Sequence, residues 1–288
     1  MRALAKYLMR GPKQAVIVAV IAAALPLMFW LSAAVLTLVT LRKGVGQGIN
    51  VLVWALLPAI AWWIQLGDPG IMLVLVFSWV MAVALRQTIS WEKTLIAGVV
   101  TAFITGLLLP LLLPEVIQQL IDMAKEVYRQ IDPEMAKQLS GELEPAFTSL
   151  MVGSLATTYL SIALGAVLLA RSWQSSLYNP GGFREEFHSF KLSPVFALCT
   201  IGLGLFGPAI SLNIILLVLI MLVPLTLAGI ALIHGSVAKR NLGGHWLFVF
   251  YMSTLILGPS LFLLIIFMAI LDSWFDFRSR IKTTPIDQ

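Results

Sequence analysis

Residues 211–233 read SLNIILLVLIMLVPLTLAGIALI and contain no charged side chain. A hydrocarbon core about 30 Å thick is crossed by roughly 20 apolar residues in a helix, so this stretch is long enough to span a membrane. Further apolar segments, some of them shorter, lie at 15–25, 27–41, 48–65, 70–86, 94–113, 147–170, 193–209, 245–257 and 259–274. The sequence therefore predicts an all-α, polytopic transmembrane helical bundle.

The composition agrees with a membrane location. The 288 residues are 59% hydrophobic and 11% charged, whereas a soluble domain carries about 25% charged residues. The net charge of +5 comes from basic residues in short loops between apolar segments. This pattern is typical of orientation signals and of contacts with anionic lipid head groups, not of a nucleic-acid site. The expected partner is the lipid bilayer.

Proline interrupts two of the longest apolar stretches. Pro26 and the pair Gly258 and Pro259 lie near their middles, where proline removes a helix hydrogen bond. If both stretches form discontinuous arms that fold back, sixteen of the 19 basic residues lie inside and three lie outside, as the positive-inside rule favours. This arrangement predicts eight to ten membrane segments with both termini in the cytoplasm. Single long helices at 15–41 and 245–274 are the alternative.

The long connection at 114–145 is mainly acidic and is predicted to be exported. Apolar residues recur in it at helical spacing, which predicts an external amphipathic helix at about 115–140. Asp132 followed by Pro133 is typical of the start of a second helix. The element is either a passive lid at the membrane surface or a gating or partner-binding device.

The sequence contains no recognisable catalytic set. There is no Gly-rich phosphate loop with its lysine, no nucleophile elbow and no pair of carboxylates inside an apolar segment. The three histidines have no cysteine or carboxylate at ligand spacing, and Cys199 is the single cysteine. We therefore expect no enzymatic activity, no metal and no cofactor.

Two groups of residues are candidate binding surfaces. Aromatic and polar residues are predicted to border a small-ligand pocket open to the outside, although tryptophans at an interface also act as membrane anchors. A small-residue stripe on the first apolar segment permits close helix contact, either within this bundle or with another membrane protein. The pocket residues are Trp62, Trp63, Gln65, Trp79 and Tyr159, and the stripe comprises Ala15, Ala19 and Ala23.

Three stretches resemble the YybS-like family of bacterial inner-membrane proteins, which has no agreed biochemical activity. They are LYNPGGFREEF at 177–187, ALIHG at 231–235 and LDSWFDFR at 271–278. The resemblance covers nearly the whole chain and implies a location in the bacterial inner membrane.

Residues 14–171 also resemble, more distantly, the substrate-binding S components of energy-coupling factor vitamin transporters. The shared features are the alanine stripe, the break after it and the basic Gly-rich turn RKGVGQG at 42–48. The resemblance implies a six-segment membrane core at 1–171, with C-terminal membrane segments and a cytoplasmic tail at 172–288. It also implies an external ligand and docking of the alanine stripe on a coupling subunit. The four further arms and the acidic linker depart from that pattern.

Two functions follow from these features. The first is a small-molecule binding or transport subunit without its own ATPase, energised by a partner coupling protein and ATPases. The alternative is a membrane scaffold or regulator whose inside loops at 178–191 and 234–245 recruit a cytoplasmic partner. A sealed external cavity bordered by Trp62, Trp63 and Tyr159 favours the first function, whereas a collapsed core with ordered inside loops favours the second.

Overall fold

The computed structural model describes residues 2–281. It is 87% helical, and no strand occurs among the residues it describes, which confirms the all-α prediction. The residues at 282–288, including the end of the predicted cytoplasmic tail, lie outside the described part. The helices are α1 (Arg2–Leu8), α2 (Pro12–Ala24), α3 (Phe29–Lys43), α4 (Val45–Leu66), α5 (Gly70–Thr88), α6 (Trp91–Leu112), α7 (Pro114–Ile131), α8 (Pro133–Leu139), α9 (Glu144–Tyr178), α10 (Gly182–Ser189), α11 (Pro194–Ile210), α12 (Asn213–Lys239), α13 (His245–Leu257), α14 (Pro259–Phe275) and α15 (Phe277–Arg280).

Five of these helices are long and apolar enough to cross a membrane. They are α4, α5, α6, α9 and α12, and the pair α10 and α11, which is bent by 51°, gives a sixth if it counts as one span. Large apolar side chains lie on the surface, including Ile64 at 79% exposed and Leu255 at 76% exposed. Such extensive apolar exposure is unfavourable in water but suits contact with lipid. The chain is a multi-pass membrane protein.

Both predicted breaks are present. Helix α2 ends at Ala24, the turn that follows places Leu27 at a φ of 61°, and α3 begins at Phe29 and packs against α2. Gly258 separates α13 from α14 at a φ of 53° and a ψ of −130°. Glycine tolerates this backbone conformation because it lacks a Cβ. The number of membrane crossings, eight to ten, stays a prediction.

Helix α9 is longer than the apolar segment predicted at 147–170. It continues to Tyr178, so the loop begins at Asn179. The residues after 170 are polar but include no proline or glycine before Pro180, and polarity alone does not end a helix. The guanidinium of Arg42 lies 3.9 Å from the centre of the Tyr178 ring, a cation–π contact that holds the last turn against α3.

The amphipathic region forms two helices, α7 and α8. Ile117 and Ile121 are buried, and Lys125 on the same face pairs with Glu144 at 2.9 Å. The carboxylate of Asp132 accepts a hydrogen bond from the Met135 amide at 3.0 Å, which confirms the predicted start of the second helix. Placement of this element outside the membrane stays a prediction.

The chain divides into two compact units. Unit 1 comprises residues up to Pro180 together with Leu203–Ile220, and α3 lies at its centre against α2, α4, α5 and α9. Every residue of α3 from Ser32 to Leu41 is buried. Unit 2 comprises Gly181–Gly202 and the described residues from Met221 onward. The division predicted at 171/172 stays a prediction.

Candidate functional site

Unit 2 contains an apolar cleft of about 1190 Å³, which exceeds the usual size of a small-ligand pocket, roughly 300–1,000 Å³. It is open to the surface and is bordered by the end of α12, by α13, by α14 and by α15. The lining residues are Leu232, Ile233, Ser236, Val237, Arg240, Leu242, Trp246, Phe250, Leu261, Leu264, Ile265, Met268, Phe277, Arg280 and Ile281. Twelve of these fifteen side chains are apolar.

The inner end of the cleft is closed by a close approach of α12 to α14. A Cβ added to Gly229 would lie 2.5 Å from the carbonyl oxygen of Ile265, which is too close for any side chain. Glycine at this position therefore lets the two helices touch. One turn nearer the end of α12, Ile233 already lines the open space.

Helix α13, which forms another wall, is held by a hydrogen-bonded aromatic cluster. The Nε2 atom of His234 lies 2.8 Å from the hydroxyl of Tyr251. The ring of Phe187 on α10 meets the His234 ring edge to face, with 5.4 Å between the ring centres. These contacts join α10, α12 and α13, so α13 is fixed with Trp246 and Phe250 toward the cleft.

Two arginines line the polar end of the cleft. Arg240 follows the last residue of α12, Arg280 is the last residue of α15, and both side chains are exposed. Within residues 2–281, no carboxylate lies within ion-pair distance of either guanidinium. The Arg280 guanidinium lies over the Phe275 ring, 5.9 Å from the ring centre. The cleft therefore has an apolar body and a positively charged mouth.

A buried ion pair shapes that mouth. Asp272 and Arg278 are 2% and 5% exposed, and their side chains meet at 2.8 Å. Asp272 also accepts the Phe277 amide at 2.8 Å, and Arg278 donates to the carbonyl oxygen of His188 at 2.8 Å. The sequence LDSWFDFR thus folds back on itself, and this turn places Phe277 and Arg280 at the cleft.

A second ion pair lies beside the first. The ammonium of Lys191 donates to the carboxylate of Asp276 at 2.6 Å, and this hydrogen bond is the main reason that the pKa of Asp276 is below its usual value. The ammonium of Lys239 donates to the carbonyl oxygen of Arg278 at 2.7 Å. These polar groups line a separate cavity of about 570 Å³. Both nearby aspartates are therefore already engaged by cations other than Arg240 and Arg280.

The chemistry of the cleft is that of binding. The apolar walls suit an alkyl chain or a ring system, and the two guanidinium groups offer hydrogen-bond donors to an acidic group. Among residues 2–281, no group of three or more His, Cys, Asp or Glu side chains could hold a metal ion. The arrangement therefore suits an amphiphilic molecule.

No family model, curated protein or solved structure matches the chain. Its function is therefore inferred from the geometry of the site.

Two of the residues predicted to border an external pocket, Trp62 and Tyr159, form hydrogen bonds within unit 1. Trp62 donates to the carbonyl oxygen of Ala24 at 3.2 Å. Tyr159 donates to the Asp68 carboxylate at 2.7 Å, and the same oxygen accepts the Gly70 amide at 2.8 Å. These bonds tie α4 to the end of α2 and α9 to the start of α5.

The other three predicted pocket residues also do not meet around a cavity. Trp63 is partly exposed, Gln65 is exposed, and Trp79 has a buried ring nitrogen without a partner among the described residues. The cavities of unit 1 described here, of about 730, 420 and 360 Å³, are lined by residues outside this predicted set. The role of the five residues in ligand binding stays a prediction.

The alanine stripe is packed inside unit 1. Ala15, Ala19 and Ala23 are 0% exposed, and α2 packs against α3 and α4. The exposed face of α2 instead carries Ile17 and Ile21. Burial of the stripe by its own chain agrees with the packing alternative, and docking on a coupling subunit stays a prediction.

The cleft was not predicted from the sequence. Arg240 and Arg280 were counted among the basic residues that indicate the inside of the membrane, and no role was predicted for Trp246 or Phe250. A signal was present, since Trp246 and Phe250 lie four positions apart in the first helix after the basic end of α12. That spacing places both rings on one face of a helix.

Proposed function

We propose that this protein is a small-molecule-binding subunit of the bacterial inner membrane that takes an amphiphilic ligand from the bilayer into the cleft of unit 2. The observation that carries the proposal is the cleft itself, with twelve apolar lining side chains and two arginines at its mouth. Large, mostly apolar pockets with a few convergent polar groups are the usual form of small-ligand sites. Lipid-facing walls give a membrane-dissolved molecule direct access.

The proposal includes no ATPase of the chain's own, because the sequence has no phosphate-binding loop. Any energised transport would depend on partner membrane subunits, a coupling protein and ATPases. Membership of the YybS-like family is part of the proposal and is supported by the stretches at 177–187, 231–235 and 271–278. The likeness to S components applies to residues 14–171, but the ligand is placed in unit 2 instead of at the outer face.

The proposed topology has eight to ten membrane segments and both termini in the cytoplasm. The distribution of the 19 basic residues supports it. It puts Arg240 and Arg280 at the inner leaflet, where the cleft would open. Reporters active only in the periplasm, fused at Gly44 and Gly243, should be silent, and activity at either site would contradict this orientation.

Ligand binding is tested by measuring what the protein retains. The full chain is purified in a mild neutral detergent, and the amphiphiles extracted from it are quantified per chain. Leu264 lines the cleft, whereas its neighbour Leu263 is exposed on α14 outside it. We expect about one amphiphile per chain in the wild type and in Leu263→Trp, and a several-fold loss in Leu264→Trp because the indole fills the cleft.

Equal retention by the two variants would contradict the proposal, since both leucines are exposed on α14 but only Leu264 lines the cleft. The absence of any stoichiometric amphiphile from the wild-type protein would contradict it as well.

A second function is supported by the order of the loop at 178–191. Helix α10 in this loop is held by Arg278, which donates to His188, and by the pair of Lys191 with Asp276. This is the ordered inside loop expected of a scaffold that recruits a cytoplasmic partner. Arg184 on α10 is exposed, so Arg184→Glu should abolish co-purification of such a partner and leave amphiphile retention unchanged. Co-purification of the same soluble proteins with both forms would count against this function.

A further inference from the structure

We infer that the ligand of the cleft is an anionic lipid whose acidic head group is held by Arg240 and Arg280, an inference that rests on the proposed function. The mouth of the cleft carries the positive charge of Arg240 and Arg280. The described part of unit 2 has four carboxylates, and the two at the end of α14 and in the α14–α15 turn form ion pairs with cations other than Arg240 and Arg280. Asp272 pairs with Arg278, and Asp276 pairs with Lys191.

The positive charge of Arg240 and Arg280 is consequently not neutralised by the surrounding turn. Each guanidinium has five N–H donors in a planar fork that matches the oxygens of a phosphate or carboxylate. The carbonyl end of α12 carries a partial negative charge, but Lys239 at its last residue offsets it. A cationic head group would meet two arginines that pair with no carboxylate among residues 2–281, so the mouth selects against it.

The apolar body of the cleft is deep enough to hold an acyl chain, which a small soluble acid lacks. Between Leu261 and Met268, α14 lines the cleft over about two helical turns, or roughly 10 Å. Leu232 and Ile265 form its buried floor, at 5% and 3% exposed. Free phosphate would leave this surface uncovered, whereas an acyl chain matches both its length and its apolar lining.

The side chains around the mouth suit a position at the membrane surface. Trp246 is 50% exposed and borders the cleft beside Phe277. Tryptophan is enriched at the level of lipid head groups because its ring is amphipathic. The mouth thus combines Trp246 with two arginines. This combination suits the level of the lipid head groups, where the phosphate of a phospholipid lies.

The inference is tested by lipid competition. Full-length protein in a neutral detergent is incubated with equal amounts of phosphatidylglycerol and phosphatidylcholine that carry identical acyl chains, and the bound lipids are counted by native mass spectrometry. We expect the anionic lipid to be retained over the zwitterionic lipid by about tenfold or more, since each arginine near a head group contributes a several-fold preference.

The double variant Arg240→Gln with Arg280→Gln should bring this ratio close to one. The matched control is Lys6→Gln with Lys93→Gln, which changes the net charge equally at two exposed positions in unit 1 and should keep the wild-type ratio. Excess inorganic phosphate should not release the bound lipid. Folding of the double variant is checked by covalent labelling of α12 and α14 with a photoreactive fatty alcohol, which needs no charge.

The outcomes separate the two proposals. Equal retention of both lipids by the wild type, an unchanged preference in the arginine double variant, or release by inorganic phosphate would overturn the anionic-lipid inference. If the neutral fatty alcohol still labels the cleft in those cases, the proposed function stands. If neither lipid is retained and the fatty alcohol does not label α12 or α14, the proposed function itself fails.

Discussion

Aromatic side chains have different roles in the two units. In unit 1, Trp62 donates to the carbonyl oxygen of Ala24 and Tyr159 donates to the Asp68 carboxylate. In unit 2, Tyr251 bonds to His234 and the pair of Asp272 and Arg278 closes a turn, whereas Trp246 lies at the edge of an open cleft. Trp62 and Tyr159 therefore join elements of unit 1, whereas Trp246 borders an open cleft in unit 2.

The largest effect is expected from breaking the turn that shapes the cleft. Asp272→Asn leaves the Arg278 guanidinium buried without its counter-charge, and loss of one partner of a buried pair costs about 3–5 kcal/mol. We expect a large fall in the melting temperature in detergent and the loss of retained amphiphile. Asp276→Asn is the control, because its pair with Lys191 is largely exposed and contributes at most about 1 kcal/mol. Similar falls for the two variants would show that the buried pair does not shape unit 2.

A smaller effect is expected from the alanine stripe of unit 1. Ala19→Leu inserts a large side chain where none of the alanine is exposed, and overpacking of this kind costs about 1–3 kcal/mol. The isolated protein should therefore melt at a lower temperature. Ile17→Leu, on the exposed face of the same helix, should melt as the wild type does. If Ala19→Leu is fully stable alone and fails only in the presence of another membrane subunit, the stripe is a docking face after all.

The bond between Tyr159 and Asp68 is expected to matter for stability and not for ligand binding. Tyr159→Phe removes one hydrogen bond, worth about 1 kcal/mol, and should lower the melting temperature slightly. Thr158→Val is the control, because the hydroxyl of Thr158 bonds only to the backbone of its own helix. Amphiphile retention should be unchanged in both variants. A selective loss of ligand in Tyr159→Phe would restore the external pocket as the binding site.

The smallest expected effect depends on pH. The pKa of Asp276 is lowered, mainly by the hydrogen bond from Lys191. This pair therefore stabilises the fold above the ordinary aspartate pKa of about 3.9, and the contribution is lost as the pH falls through the lower folded-state value. Between about pH 6 and about pH 3, the wild type should lose slightly more stability than Asp276→Asn. Parallel curves for the two proteins would mean that the pair contributes nothing measurable.

Most of the helical framework could be predicted from the sequence. Long apolar runs have few alternatives to helices in a membrane, because only helices satisfy every backbone polar group within one segment. Each of the ten apolar segments lies within or largely within a helix, and the chain breaks at Pro26 and Gly258 as expected. Helix α9 extends beyond the predicted apolar segment to Tyr178, because no proline or glycine interrupts residues 171–178.

The cleft could not be predicted, for a physical reason. It depends on the contact of Gly229 with Ile265 and on the turn that the Asp272 and Arg278 pair closes. Periodicity and composition describe single helices and contain no information about which helices touch. The role of Trp62, Trp63, Gln65, Trp79 and Tyr159 in ligand binding stays a prediction.

The most direct test of this contrast between the units is to map where a membrane-dissolved amphiphile contacts the chain. The protein is reconstituted in lipid nanodiscs with a photoreactive fatty alcohol, irradiated and digested, and the labelled peptides are identified by mass spectrometry. We predict saturable labelling of the α12 end and α14, around residues 232–240 and 261–268, that an excess of unlabelled fatty alcohol suppresses. Saturable labelling around Trp62, Trp63 and Tyr159 in unit 1, with only unsaturable labelling in unit 2, would contradict the account.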